Sequence, residues 1–419
     1  MQKTPRFQLL LIILISVLVG YYFGINKVAF DWKNYHPKIS VAGKEPPAGV
    51  TNVDFTQFWT VWEKIQSDYY DKSKIDSQKM LNGAISGMVG SLGDQFTMYL
   101  PPTQNDNFKQ GLAGQFQGIG AELGLKDGKI IVISPLTGSP AIKAGIKPGD
   151  YILSVDGQST ASWTLSQAVE KIRGEKGTEV SLSILHKDST SPQDVKIVRD
   201  VITVKSVDSW LKSVKDIPSV KLDKAYADKK VAYISLSQFG DNTNQEWLTE
   251  VNSLSMKLSK ENDVKGLVFD LRNNPGGYLT DAVFIASEFL KEGTPVVIED
   301  DGNSQVTLKA NRKGLLNDIP VIVLVNKGSA SASEIVAGAL RDNDRAKLAG
   351  ETSYGKGTIQ QAEDLGGGAG LHVTIAKWLT PNQTWVHGKG LTPDFPANLN
   401  SKEPDHDTQL EKAVLELVK

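Results

Sequence analysis

The sequence predicts a multi-domain α/β protein, and three observations support that class. Its 419 residues exceed the length of one ordinary domain, so two or three folded units are expected. Residues 230–325 alternate apolar strand patterns with amphipathic helix patterns, which indicates a largely parallel sheet covered by helices. Residues 116–204 instead have the sequence patterns of several short strands and two helices, which indicates a separate β-rich domain.

The composition narrows the possible functions. The formal net charge is −2 and no long run of like charge occurs, so nothing indicates a nucleic-acid partner. The absence of cysteine excludes disulfides, thiolate metal sites, a cysteine nucleophile and a lipid-modified cysteine. The 5 histidines show no metal or catalytic-triad spacing, and His372 and His387 are expected in a strand and a loop. No metal and no cofactor is therefore predicted.

The N-terminus carries an apolar segment behind two cations. Lys3 and Arg6 precede residues 7–23, which as a helix would span about the 30 Å hydrocarbon core of a bilayer. We therefore predict a cytoplasmic stub and a single transmembrane anchor within residues 1–30, with the rest of the chain outside the cytoplasm. A cleaved signal peptide is the alternative, although no small-x-small cleavage pattern follows the apolar run.

The next two segments are predicted to be a linker and a small helical region. Residues 31–50 contain several prolines and little periodicity, which is typical of a linker. Within residues 51–106, apolar residues at steps of three and four predict one helix from Asp54 and another over residues 79–91. These apolar side chains are interpreted as core packing, and no chemistry is assigned to this region.

The β-rich segment, residues 107–204, has an order of elements with a recognisable pattern. Ser139 can cap a short helix that begins with Pro140, and an Asp156-Gly157 turn follows a strand. With the run of residues 139–150, this order strongly resembles a PDZ domain over nearly the whole segment. In PDZ domains a glycine-rich loop binds the terminal carboxylate of a peptide, which then adds as a strand. The resemblance implies that role for Gly118, Ile119, Gly120 and Ala121. A turn that simply requires glycine is the alternative.

The α/β segment, residues 205–419, places two polar loops after two predicted strands. The strand at residues 265–271 is a continuous apolar run, as expected for a strand that is buried on both faces, and a second strand follows at residues 319–325. Residues 272–277 follow the first strand, and residues 328–331 follow the second. Because sites in parallel sheets lie at the carboxyl ends of strands, both loops are expected to contribute to one site.

The second loop contains three candidate nucleophiles. They are Ser329, Ser331 and Ser333. Ser331 begins a Ser-x-x-Glu box with Glu334, so a helix N-cap is the alternative role. A serine between a strand and a helix N-terminus is placed to attack a carbonyl carbon, with N–H groups near the oxygen that becomes negative. The backbone N–H groups of Gly277 and Ala332 are the candidates for an oxyanion hole.

Lys356, between two glycines, is the candidate general base. A lysine with the ordinary pKa of about 10.4 is protonated, and burial would lower that pKa so that the amine could accept a proton. If residues 356–361 form a strand, Gln360 lies on the same face as Lys356 and its side-chain oxygen can orient the amine. A solvated surface lysine is the alternative. A phosphate-binding loop is rejected because Gly357 stands where that motif needs Ser or Thr.

Together these motifs closely resemble the C-terminal processing peptidases, also called tail-specific proteases. The matching runs are residues 270–277, 326–334, 354–357 with Gln360, and 390–394, and the resemblance extends from Phe55 to the end of the chain. It implies a core related to the crotonase and ClpP folds. It also implies Ser331 as the nucleophile, Lys356 as the general base and Gln360 as a residue that supports the base. Residues 92–97 depart slightly from the usual form, since Gln95 stands where the family has proline.

With the N-terminal segment, the resemblance implies a membrane-anchored, extracytoplasmic serine endopeptidase that cleaves proteins near their C-termini. A tethered PDZ binding module with an inactive hydrolase core is the first alternative, and a crotonase-like enzyme that acts on a thioester is the second. The expected partners are protein or peptide substrates with free C-termini, together with the membrane through the N-terminal helix. A homo-oligomer is left open, and no nucleic acid is expected.

Overall fold

The structure is a computed structural model that describes residues 6–25, 28–33, 36–41, 53–136, 138–187, 189–400, 403 and 405–419. The chain divides into two compact units, Met1–Met80 and Leu81–Lys419. The predicted cytoplasmic stub at residues 1–5 and the predicted linker at residues 42–50 lie outside the described residues.

The first unit contains helices and one hairpin. Its elements are α1 (Arg6–Ile25), β1 (Val28–Lys33), β2 (His36–Val41), α2 (Thr56–Asp68) and the start of α3 (Ser77–Gly90), with a 3-10 turn at Lys72–Lys74. Strands β1 and β2 pair antiparallel with Val28 opposite Val41, in a stretch that the sequence assigned partly to the linker. No residue of α2 is buried, and Trp59 is 56% exposed, so the core packing predicted for its apolar residues is not observed.

Within the described residues, no helix combines the length and the hydropathy that a membrane crossing requires. The transmembrane helix predicted within residues 1–30 therefore has no support from the structure.

The β-rich domain, with the short segment that leads into it, follows α3. The elements in this part are β3 (Met98–Leu100), α4 (Pro102–Leu112), β4 (Gln115–Gly118), β5 (Ala121–Lys126), β6 (Lys129–Pro135), α5 (Pro140–Lys143), β7 (Tyr151–Val155), β8 (Gln158–Ser159), α6 (Leu165–Ile172), β9 (Glu179–Leu185), β10 (Gln193–Val198) and β11 (Asp200–Thr203). An antiparallel sheet has the order β10-β9-β7-β6-β5, with β8 paired to β7, and β4 pairs separately with β11. Alternate residues of β9 are buried, and the Ser139 side chain accepts a hydrogen bond from the Ile142 N–H to cap α5.

The remaining elements form the α/β core. They are β12 (Val207–Ser213), β13 (Lys230–Leu236), α7 (Thr243–Leu258), β14 (Val264–Asp270), α8 (Leu279–Ala286), β15 (Pro295–Asp300), β16 (Gln305–Lys309), β17 (Val321–Val325), α9 (Ala332–Asp342), β18 (Ala346–Gly350), β19 (Thr358–Gly366), β20 (Ala369–Leu379), β21 (Phe395–Pro396) and α10 (Thr408–Val418), with 3-10 turns at Val214–Asp216 and Lys224–Tyr226. The main sheet has the order β12-β13-β14-β17-β18-β21 and is parallel except for β12. The predicted largely parallel sheet is therefore present.

Both faces of the main sheet are buried, which explains the uninterrupted apolar runs in its central strands. In β17, Val323 packs in a cluster with α7, α8 and α9, whereas Leu324 packs in a second cluster with α10. The first cluster includes Phe269 on β14, whose ring centroid lies 5.3 Å from that of Trp247. Burial of each such aromatic side chain contributes about 1.5–3 kcal/mol, so the strand ends that carry the polar loops are held rigidly.

A second, antiparallel sheet lies beside the loops at the carboxyl ends of the main sheet. Its order is β16-β15-β20-β19, and β3 also pairs with β20. The sequence assigned residues 98–100 to the helical region, yet Leu100 lies opposite Gly370 in this sheet. Consequently a segment that precedes the β-rich domain is part of the α/β core.

Candidate active site

The two polar loops of the main sheet are joined by direct hydrogen bonds. The Asn326 side chain accepts a bond of 2.9 Å from the Asn273 N–H and donates one of 2.9 Å to the Asn273 side-chain oxygen. The Ala330 N–H also donates to the Asn274 carbonyl at 3.0 Å. The loops that follow β14 and β17 therefore form one structure at the carboxyl edge of the sheet.

The surroundings of the three candidate serines separate their roles. Ser329 and Ser333 are fully buried, and their hydroxyls donate to the carbonyls of Leu271 and Asn274. The Ser331 side chain, in contrast, lines a cavity of about 340 Å³. Two of the serines thus hold the loops together, and Ser331 is the one that a substrate in this cavity could reach.

The backbone at Ser331 is strained. Its φ of 54° and ψ of −115° lie in a region that residues with a side chain rarely adopt. The residue stands between the loop after β17 and the first residue of α9, a sharp turn of the kind that exposes a nucleophilic serine in hydrolases. A Cβ on Gly276 would lie 2.8 Å from the Ser331 Cβ, so only glycine fits beside this turn.

Gly277 and Ala332, the predicted oxyanion-hole residues, line the same cavity as Ser331. Gly277 has a φ of 142°, and a Cβ there would lie 1.7 Å from the Phe239 carbonyl oxygen. The neighbouring N–H of Tyr278 donates to that oxygen at 3.0 Å and fixes the loop. Within the described part of the chain, neither the Gly277 N–H nor the Ala332 N–H has a hydrogen-bond partner. Both donors are therefore available to an oxygen in the cavity.

Lys356 lines the same cavity and is half-buried. Its flanking glycines are needed for close packing, since a Cβ on Gly357 would lie 2.7 Å from the Trp385 Nε1. Burial lowers the pKa of Lys356, and the nearby charge of Asp94 opposes this without reversing it. The amine lies 5.0 Å from the centroid of the Phe96 ring. A lowered pKa is the property that a lysine needs in order to act as a base.

Glu334 connects the backbone at Ser331 with the backbone at Lys356. One carboxylate oxygen accepts hydrogen bonds of 2.9 Å from the Ser331 N–H and 2.9 Å from the Lys356 N–H. The other oxygen accepts bonds of 2.5 Å from the Ser353 hydroxyl and 2.7 Å from the Gly355 N–H. The side chain is fully buried. The sequence indicated only a helix-capping role for Glu334, because the lysine loop comes from a distant part of the chain.

Gln360 lies on β19 and lines the cavity together with Lys356. The strand begins only at Thr358 and has an irregularity between Ile359 and Gln360, so the simple alternation expected from residue 356 is interrupted. The Gln360 Nε2 donates to the hydroxyls of Thr358 and Thr374, each at 3.0 Å. Because both N–H groups are used, the side-chain oxygen is left as an acceptor for another donor.

Most of the remaining cavity wall is apolar and includes residues that no sequence motif indicated as part of a site. Those residues are Phe96, Met98, Phe108, Leu112, Ile335, Ile359 and Trp378. His372 lies on β20, as expected, but it also lines the cavity; burial lowers its pKa, and the charge of Lys356 lowers it further. The described residues contain no group of three acidic or histidine side chains that could hold a metal ion.

A second cavity, of about 140 Å³, lies in the β-rich domain at the predicted tail-binding loop. It is lined by residues that include Gly118, Ile119, Gly120, Ala121, Val169, Ile172 and Arg173. Gly120 has a φ of 73°, and a Cβ there would lie 2.5 Å from the Ser139 Cβ, so glycine is required. The Arg173 guanidinium lies 4.6 Å from the centroid of the Phe116 ring. A cation beside an apolar groove suits a peptide that ends in a carboxylate.

These features define a serine peptidase with a PDZ domain, and comparisons with known proteins agree. The family model Peptidase family S41 matches residues 230–397, the model PDZ domain matches residues 110–185, and the model Activating protease CtpB N-terminal domain matches residues 14–103. The chain belongs to the carboxy-terminal processing protease family.

Relatives of known identity and one solved structure support this assignment. Carboxy-terminal processing protease CtpA of Bacillus subtilis is 37% identical over 361 residues, which cover 86% of this chain and 72% of that protein. Carboxy-terminal processing protease CtpB of the same organism is 36% identical over 92% of this chain and 75% of its own. The structure of photosystem II D1 C-terminal processing protease is 28% identical, with a TM-score of 0.51 over 86% of this chain and 96% of its own.

Membership of this family confirms the resemblance that the sequence motifs indicated. It supports a peptidase over the first alternative, a binding module with an inactive hydrolase core.

Proposed function

We propose that Ser331 and Lys356 form a Ser–Lys dyad that cleaves protein substrates near their C-termini. The observation that carries this proposal is a single cavity lined by a serine on a strained turn and by a half-buried lysine. Support also comes from Glu334, whose carboxylate bonds the backbone of both residues. His372 also lines the cavity with a lowered pKa, but the Glu334 carboxylate connects the Ser331 backbone to that of Lys356, which favours the lysine as the base.

In the proposed reaction, the neutral Lys356 amine takes the hydroxyl proton as the Ser331 Oγ attacks the peptide carbonyl carbon. The carbonyl oxygen becomes negative and accepts hydrogen bonds from the N–H groups of Gly277 and Ala332. The Lys356 ammonium then gives its proton to the leaving amine as the C–N bond breaks. Water attacks the resulting ester and loses a proton to Lys356. The bond between the acyl carbon and the Ser331 Oγ then breaks, Oγ takes the proton back from Lys356, and the acid product leaves.

Gln360 has the proposed role of orienting the base. Its two N–H groups are directed at Thr358 and Thr374, so its oxygen is the acceptor that an amine donor from Lys356 would meet. Such a bond would hold the lysine lone pair toward Ser331 without adding charge to the cavity.

The dyad is tested by proteolysis assays with an unfolded protein substrate. Ser331→Ala and Lys356→Ala should each abolish cleavage and keep the unfolding transition of the parent protein. Ser259→Ala and Lys291→Ala, at exposed positions outside the cavity, are the matched controls and should keep full activity. Cleavage by either dyad variant at the parent rate would refute the assignment.

We further infer that the loop of residues 118–121 binds the free C-terminus of the substrate. The loop lines an apolar groove, and the Arg173 side chain adds positive charge to its wall. Titration calorimetry on the Ser331→Ala protein can compare a peptide that ends in a free carboxylate with the same peptide amidated. The free peptide should bind at least about tenfold more tightly, since an amide cannot replace a charge-assisted acceptor. Equal affinities would contradict this role.

We also propose three features that the sequence suggested, namely the fold relation of the core, the location of the chain and its oligomeric state. A relation of the core to the crotonase and ClpP folds is supported by its parallel strands with covering helices. An extracytoplasmic location behind a single N-terminal membrane segment is supported by Lys3 and Arg6 before the apolar run. Protease digestion of intact cells that carry a C-terminal epitope would test that location, and light scattering of the purified protein would test for a homo-oligomer.

A further inference from the structure

Asp94 lies in the turn between α3 and β3, and its carboxylate contacts the second sheet. One oxygen accepts a hydrogen bond of 2.5 Å from the Thr374 hydroxyl and one of 2.7 Å from the Thr97 hydroxyl. The other oxygen accepts a bond of 3.0 Å from the Phe96 N–H. Asp94 is therefore held by its own turn and by β20, and its position relative to the cavity is well defined.

The hydrogen bonds continue from Asp94 to Gln360 and have only one possible direction. An ionised carboxylate can only accept, so the Thr374 hydroxyl must give its single proton to Asp94. The Thr374 oxygen can then only accept at its remaining contact, the Gln360 side chain at 3.0 Å. Gln360 must consequently present its NH₂ group to Thr374, and its carbonyl oxygen faces away from that hydroxyl.

The ionised state of Asp94 is secured by its surroundings. Partial burial raises the pKa of Asp94, but the hydrogen bonds from the Thr374 and Thr97 hydroxyls and from the backbone together lower it by more, so the pKa lies below the ordinary value. The same charge favours the ammonium form of Lys356 and so opposes burial, which still holds the pKa of the amine below the ordinary value. Two other ionisable groups lie near Lys356: His372 on β20, and Glu334, which is bonded to the Lys356 backbone.

We propose that Asp94 is a positioning residue for the catalytic base. Through Thr374 it sets the orientation of the Gln360 amide, so that the amide oxygen is available to Lys356, and it places a negative charge beside the amine. The proposal rests on the proposed function of Lys356 as base. It assigns a role in catalysis to a segment before the PDZ domain, for which the sequence indicated only helical packing.

The test uses the full-length protein and a quenched fluorescent peptide with an apolar free C-terminus. The variants are Asp94→Asn, Thr374→Val and Thr374→Ser, with Asp364→Asn on β19 as the matched control for loss of an acidic charge. For each variant kcat and KM are measured from pH 5 to pH 10, and the folded fraction is followed by denaturant unfolding.

Asp94→Asn should lower kcat about tenfold or more with little change in KM, because the amide orientation is no longer enforced. It should also move the rise of rate with pH to lower pH, because a charge that favours the ammonium form of Lys356 is gone. Thr374→Val should lower kcat with a smaller pH displacement, since Asp94 keeps its charge. Thr374→Ser should restore most of the activity, and Asp364→Asn should match the parent protein.

Combining Asp94→Asn with Thr374→Val should lower kcat no further than the worse single variant, as expected for residues of one chain of contacts. A parent-like kcat and pH profile in Asp94→Asn would overturn the proposal. Equal impairment of Thr374→Ser and Thr374→Val, or losses that only follow the folded fraction, would overturn it as well. Lys356→Ala separates the two ideas: activity in that variant removes the proposed function, whereas an inactive Lys356→Ala beside a parent-like Asp94→Asn removes only this inference.

Discussion

Replacement of Glu334 tests whether one buried carboxylate holds the two halves of the site together. Glu334→Ala removes the acceptor of four donors, namely the N–H groups of Ser331, Gly355 and Lys356 and the Ser353 hydroxyl. At about 1 kcal/mol or more for each orphaned donor, the free energy of unfolding should fall by at least about 4 kcal/mol. That loss is a large part of the about 5–15 kcal/mol that stabilises an ordinary protein.

Glu334→Gln should be much milder because glutamine keeps one acceptor oxygen. Ser353 already accepts a hydrogen bond of 2.7 Å from the Leu391 N–H, and its hydroxyl can also accept from the new NH₂ group. The preferred orientation therefore directs NH₂ toward Ser353, and it leaves the Gly355 N–H and the Ser353 O–H without their acceptor. At about 1 kcal/mol for each of these two donors the expected cost is about 2 kcal/mol, and the oxygen that faces Ser331 and Lys356 remains.

Denaturant unfolding and peptide cleavage measure the two consequences separately. Glu334→Ala should reduce kcat about 100-fold, since displacement of reacting groups by about 1 Å costs that much, whereas Glu334→Gln should stay within about tenfold of the parent. Glu363→Ala, at an exposed position on β19, is the control and should change stability by less than about 0.5 kcal/mol. If Glu334→Ala were as stable as Glu363→Ala, or lost no more activity than Glu334→Gln, Glu334 would not hold the two loops together.

Three further predictions concern the same cavity. Burial lowers the pKa of Lys356, and only the neutral amine can act as a base. The value of kcat/KM should therefore rise with pH through that lowered pKa. A value of kcat/KM that peaks at acidic pH would contradict this role. Gly277→Ala places a Cβ 1.7 Å from the Phe239 carbonyl oxygen and should lower kcat by a factor of about 10²–10³. The control is Gly302→Ala, because Gly302 also has a positive φ but a Cβ there meets nothing within 4 Å, and this variant should keep its activity. Equal kcat values for the two variants would exclude the oxyanion role. Ser329→Ala should lower the free energy of unfolding by about 1–3 kcal/mol, as measured by thermal or denaturant unfolding, because two hydrogen bonds of the hydroxyl are lost. The folded fraction of this variant should still cleave substrate. Loss of cleavage by fully folded protein would argue that Ser329, not Ser331, is the nucleophile.

The parts of the fold that the sequence predicted well have local causes. The apolar run in β17 follows from burial of both faces, and the cap of α5 by Ser139 follows from a serine directly before proline. The order of such elements was enough to indicate a parallel sheet and a separate β-rich domain. It also placed two polar loops at the carboxyl ends of strands, where the structure joins them.

The departures from prediction lie where distant segments meet. Pairing of Leu100 with Gly370 brings β3 into the second sheet, and no local pattern at residues 98–100 indicates a partner so far along the chain. Likewise, the packing of the Phe96 ring against the Lys356 amine has no signal in either segment alone. The apolar residues of α2 show the opposite case, because periodicity predicted packing and the structure buries none of them.

The sequence by itself determined the kinds of element, the loops with chemistry and the family, because periodicity, turn residues and short motifs are properties of neighbouring positions. Only the tertiary structure decided which of three serines faces the cavity, how Glu334 joins two loops, and that Asp94 reaches Gln360 through Thr374. The physical reason is that hydrogen-bond direction and burial depend on atoms brought together by packing, and a linear sequence does not contain those distances.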